Sequence, residues 1–112
     1  MAKLYEIKQG ILDCIDFETG EILNPERLDA LQMERTKKLA RHLVNKGVKG
    51  LYVGGSSGEC IYQSKEERKA VLEAVMEEAR GKLTVIAHIA CNNTADSCEL
   101  AAHAEGLGVD AI

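Results

Sequence analysis

Residues 47–64 read GVKGLYVGGSSGECIYQS. A short apolar run, Leu51, Tyr52 and Val53, passes directly into Gly54, Gly55, Ser56, Ser57, Gly58 and Glu59. Such a run bounded by glycines reads as a strand. Glycines let the backbone turn sharply and let a ligand come close to the main chain. Hydroxyls and spare N–H groups are what a small anion needs around it. The stretch is therefore expected to be a binding loop at the carboxyl end of a strand, with a plain Gly-Ser turn as the alternative.

Working outward, the chain alternates regularly. Residues 10–15 are expected to form a first strand, followed by a turn at 18–21. Asn24 is a good N-cap and Pro25 suits the first helical position. Leu28, Leu31, Leu39, Leu43 and Val44 then recur at helical spacing until Gly47. After the strand at 49–53 and the glycine-serine loop, Ser64 opens a second helix, with Glu67 completing a capping box. Its expected buried stripe is Val71, Leu72, Val75, Met76 and Ala79, and Gly81 ends it. Residues 83–88 form a third strand, and a third helix runs from about Thr94 through Leu100, Ala101, Ala104 and Leu107 to the glycines Gly106 and Gly108. Val109 to Ile112 looks like the start of a fourth strand.

Strands separated by helices imply parallel pairing with crossover connections, and strands covered on both faces read as continuous apolar runs. The fold class is α/β, built from parallel βα units. Two architectures fit: a small doubly wound sheet, or the first part of a (β/α)8 barrel. In both, ligands gather at the carboxyl ends of the strands, where GGSSGE sits.

Composition narrows the function. The 112 residues suit one domain, with 46% hydrophobic content and a net charge of −4 that gives no reason to expect nucleic acid. Basic residues alternate with acids, as in Lys65-Glu66-Glu67-Arg68-Lys69, and read as a solvated helix face. No membrane partner is expected, because no apolar run approaches about 20 residues, and no signal-peptide pattern is seen. The expected compartment is the cytoplasm, where Cys14, Cys60, Cys91 and Cys98, which include no CxxC pair, stay reduced. His88, Cys91, Cys98 and His103 lack metal-ligand spacing, since Cys98 and His103 fall on different helix faces. No metal and no cofactor is expected. His88 and Cys91 are read as structural residues at the end of the third strand.

GGSSGE is neither a P-loop, which needs a lysine after its last glycine, nor a GxGxxG dinucleotide fingerprint. A hydroxyl-rich pocket for a carboxylate remains. GLYVGGSSGE, together with QSKEERKAVLEAVMEEARGK and IAHIACNNTADSCELAAHAEGLGVDAI, resembles the dihydrodipicolinate synthase and N-acetylneuraminate lyase family, pyruvate-using class I aldolases built on a βα barrel. The G-[ST]-[ST]-G-E element is the family's signature, and the form found here resembles its sialic-acid-cleaving branch. The resemblance covers residues 10–112 and is strongest from Gly47 onward.

The resemblance implies that residues 1–112 are the amino-terminal part of one TIM barrel domain, about three and a half βα units of it. It implies that Ser56 and Ser57, shaped by Gly55 and Gly58, hold the carboxylate of pyruvate, with Ser56 also in a proton relay with tyrosines. The implied reaction of the parent protein is reversible cleavage of N-acetylneuraminate to pyruvate and N-acetylmannosamine, and the implied assembly is a homo-oligomer, a homotetramer in the family. Glu59 is expected to satisfy backbone donors near the helix start.

Two departures stand out. Cys14-Ile15-Asp16-Phe17 replaces the family's Thr-Pro-Phe, so Asp16 or Cys14 is expected to face the pocket. The Schiff-base lysine and relay tyrosines have no counterpart in this chain, which is expected to be an inactive fragment carrying the carboxylate-binding loop. The alternatives are a pyruvate aldolase of another specificity, a flavodoxin-like module that binds a small anion without catalysis, and an assembly protein with an open sheet edge.

Overall fold

The computed structural model describes residues 14–16, 18–19 and 21–112. Helix α1, Pro25–Lys46, begins where the Asn24 side chain accepts a 3.1 Å bond from the Arg27 N–H and ends at Gly47, whose φ of 77° is left-handed. Helix α2, Lys65–Ala79, opens with the reciprocal capping box, Ser64 accepting from the Glu67 N–H at 3.1 Å while the Glu67 carboxylate accepts from the Ser64 N–H at 2.7 Å. Helix α3, Thr94–Leu107, is capped by Asn93 and closed by Gly108 at φ 77°; Gly106 lies inside it.

Strands β1, Gly50–Val53, and β2, Thr84–Ala87, pair in parallel with Gly50 opposite Thr84 and Val53 opposite Ala87. Ala111 extends the pattern in a parallel bridge to Ile86, so the chain's successive strands lie side by side. The sequence-based strand, helix, strand, helix order is thus seen from β1 onward. Of the expected first strand, residues 10–13 lie outside the described residues. Ile15 makes an antiparallel bridge with Ile22, closing a local turn.

Alternation along the strands divides the sheet into two faces. Val85 and Ala87 are buried with Ala40, Leu72, Val75, Met76, Ala79 and Ala104, and Leu51 and Val53 pack against the same cluster. On the opposite face Tyr52 is 62% exposed. The stripe expected on α1 needs one correction: Leu39 is 59% exposed, and its neighbour Ala40, 2% exposed, is what enters the core. A small residue there lets α1 approach α2, and Lys37 with Glu77 and Arg41 with Glu78 close the seam. The side chain of Leu28 lies outside the description.

Candidate functional site

The chain leaves β1 through Gly54, at φ 75°, and then forms two short 3-10 turns, Ser56–Gly58 and Cys60–Tyr62. Gly58 N–H donates to Gly55 O at 3.0 Å and Glu59 N–H to Ser56 O at 3.0 Å. The N–H groups of Ser56 and Ser57 precede the first of these bonds, so the turn does not use them. Both serine side chains are exposed at the carboxyl end of β1, and neither hydroxyl is hydrogen-bonded among the described residues. Gly55 is buried. Two free hydroxyls above two free N–H groups can hold a small carboxylate.

Glu59 plays another part than expected. It sits in the left-handed region at φ 59° and joins the two turns, while the carboxylate at the helix start is that of Glu67. Asp16 Oδ1 accepts from the N–H groups of Glu18 and Thr19 at 2.9 and 3.3 Å, an Asx-type turn. Cys14 is buried, at 1% exposure. Burial closes Cys14 to a ligand, whereas Asp16 is half-buried and uses only Oδ1 in the turn.

Beside the loop stands a cluster centred on Arg68, which sequence reasoning read as surface, and on His88 and Cys91, which it read as structural. Arg68, on α2, donates to the carbonyls of His88 at 2.8 Å and Ala90 at 2.9 Å and to Cys91 Sγ at 3.3 Å. His88 packs its ring edge-on to Tyr52 with centroids 5.8 Å apart. Gly54, Arg68, His88 and His103 line one small cleft of about 20 Å3 between the sheet and helices α2 and α3. The alternation of Leu51 inward and Tyr52 outward was the sequence signal for Tyr52; nothing local signalled Arg68.

Lys65 and Lys69 are likewise occupied rather than solvated. Lys65 Nζ lies 3.0 Å from Asp96 and 2.6 Å from Glu99, and Lys69 also bonds Glu99. The lysines, Lys65 first, hold the Glu99 carboxyl below the usual carboxylate range. Asn93 and then Lys65 do the same for Asp96. His103 Nε2 is 2.8 Å from Glu73, and Cys91 N–H donates to Ser97 Oγ at 3.0 Å. Among the described residues no three His, Cys, Asp or Glu side chains are grouped to hold a metal ion, and no helix is long and apolar enough to cross a membrane.

Residues 22–112 match the Dihydrodipicolinate synthetase family. The chain belongs to that family. It is 72% identical over 79 residues to the N-acetylneuraminate lyase of Mediterraneibacter gnavus, covering 70% of this chain and 25% of that protein. To the N-acetylneuraminate lyase of Escherichia coli it is 46% identical over 92 residues, covering 81% and 31%. Among solved structures it superposes on the Ruminococcus gnavus sialic acid aldolase with a TM-score of 0.72 at 63% identity, covering 88% of this chain and 30% of that one. The dihydrodipicolinate synthase of Aquifex aeolicus gives 0.66 at 32% identity, covering 70% and 27%. The chain thus spans between a quarter and a third of the length of these family relatives.

Proposed function

We propose that this chain is the amino-terminal part of an N-acetylneuraminate lyase, a class I aldolase that cleaves N-acetylneuraminate to pyruvate and N-acetylmannosamine. The observation that carries the reading is the turn at Ser56–Gly58, which offers two unbonded hydroxyls and two spare N–H groups at the carboxyl end of β1. The 72% identity to a lyase of that name supports the choice of substrate.

Ser57 Oγ and the N–H groups of Ser56 and Ser57 hold the carboxylate of the pyruvyl unit, and Gly55 and Gly58 keep side chains out of its way. Ser56 Oγ can accept one proton while donating another, as a relay requires. Cleavage needs a lysine imine as electron sink. We assign that lysine and its tyrosine partners to the part of the lyase that this chain does not span. Lys49 and Lys82 lie at the amino ends of the strands, and the α2 lysines on the loop side, Lys65 and Lys69, are both ion-paired with Glu99. The two βα units and the bridge at Ala111 support placing the chain in the first part of a TIM barrel, about three and a half units of it. Four cysteines that include no CxxC pair fit a reducing cytoplasm, and the family resemblance supports a homotetramer.

The test is incubation of the full-length protein with N-acetylneuraminate, with released pyruvate read through lactate dehydrogenase and NADH. Steady release is expected. Condensation of pyruvate with aspartate semialdehyde, and no release from N-acetylneuraminate, would replace this reading with a synthase.

A further inference from the structure

We propose that Arg68 is a positioning residue for the Ser56 and Ser57 site, acting through His88 and Tyr52; the inference rests on the carboxylate-binding reading of that loop. Arg68 Nη2 gives its 2.8 Å bond to the His88 carbonyl and stands 3.2 Å from His88 Nδ1, while Nη1 holds Ala90 O and Cys91 Sγ. Its Nε is buried without a partner among the described residues, so the anchoring is done by the two terminal nitrogens. A guanidinium has no acceptor, so Nδ1 must accept and the ring must be neutral with its hydrogen on Nε2. Arg68 therefore fixes the place, the orientation and the tautomer of His88.

From His88 the constraint reaches the loop by two routes. The His88 N–H donates to Val53 O at 2.9 Å, tying β2 to the last residue before Gly54 and Gly55. The His88 ring meets Tyr52 at an interplanar angle of 74°. The Tyr52 ring in turn lies so close to Gly55 that a Cβ there would come within 2.7 Å of it. Ser56 and Ser57 follow at once. The main chain beneath both hydroxyls is thus held from α2 by a residue that touches neither. A lysine would supply a point charge in place of the fork that reaches two carbonyls and a thiol together.

The experiment uses the full-length protein and compares Arg68→Lys, Tyr52→Leu, the double variant and Ser57→Ala. It measures pyruvate affinity by borohydride trapping, steady-state KM and kcat, and melting temperature. Arg68→Lys is expected to weaken pyruvate binding about tenfold with a smaller fall in kcat, the scale of effect a slightly misplaced binding group produces. The histidine 15N spectrum should lose the dominance of the Nε2–H form at His88. Tyr52→Leu should give a similar loss, and the double variant should be no worse than either single one. A folded Arg68→Lys protein with unchanged affinity, while Ser57→Ala weakens binding, overturns the inference and leaves the loop reading intact. Unchanged binding in Ser57→Ala overturns the loop reading itself. Should Arg68→Lys fail to fold, Tyr52→Leu decides: full affinity there, or a strictly additive double variant, ends the proposal.

Discussion

At Gly55 one added methyl would meet two carbons of the Tyr52 ring at 2.7 and 2.9 Å. The ring is 62% exposed and has room to swing away, so Gly55→Ala should cost about 1 kcal/mol of stability, the low end for overpacking. It should cost more in pyruvate affinity, because either the ring or the loop must leave its place. Calorimetric melting beside pyruvate titration separates the two, and equal affinity would show that the loop does not lean on Tyr52. For the hydroxyls, Ser57→Ala in the full-length protein should lose about 1.5–3 kcal/mol of binding to the charged carboxylate, whereas Ser56→Ala should reduce turnover more than affinity. Identical kinetics in both would leave GGSSGE as a turn and nothing more.

Among the elements, charge is concentrated where helices meet. Arg41 holds Glu78 below the ordinary carboxylate range across the α1 and α2 seam, and Lys65 with Lys69 does so for Glu99 between α2 and α3. Because these folded values lie below the unfolded ones, the stabilisation is present above about pH 4.3 and fades as the pH falls through the folded values. Arg41 and Glu99 keep much of their side chains exposed, so salt should weaken the same contribution. Melting curves at pH 7 and pH 3 test this: Glu99→Gln should lower the melting point at pH 7 and make less difference at pH 3. A gap that stays constant would mean that Glu99 acts through packing. The caps at Asn24 and Ser64 and the ends at Gly47 and Gly108 were legible in the sequence because each depends on residues a few positions apart. The choice of Ala40 over Leu39 was not, since periodicity gives a face and its neighbour decides which residue enters. Nor was the use of Arg68, whose acceptors lie about twenty residues away beyond β2. The Asx turn of Asp16 at 18–19 was a local signal of the same kind as the caps, though the sequence reading did not use it.

For the molecule as a whole, the proposed pyruvate loop is accompanied on α2 by Lys65 and Lys69, and both are tied to Glu99. Borohydride reduction of the 112-residue chain with pyruvate should therefore leave its mass unchanged, and the full-length protein should gain a reduced pyruvyl adduct on one lysine. An adduct mapped to a single lysine of the chain would move the nucleophile into it. The pairing of β1 with β2 bears on the whole sheet, because at Gly50 a Cβ would lie 2.7 Å from the backbone oxygen of Thr84, which cannot swing aside. Gly50→Ala should cost about 2–3 kcal/mol in chemical denaturation. Among the described residues the sheet is covered on one side: Leu51, Val53, Val85 and Ala87 lie under helices, while Tyr52 is open. During synthesis on the ribosome, the helix-covered layer has its described partners once residue 109 has emerged, because they follow one another in the chain. Among the described residues these same helices leave Tyr52 uncovered, so that part of the strand stays exposed on the nascent chain through the same interval.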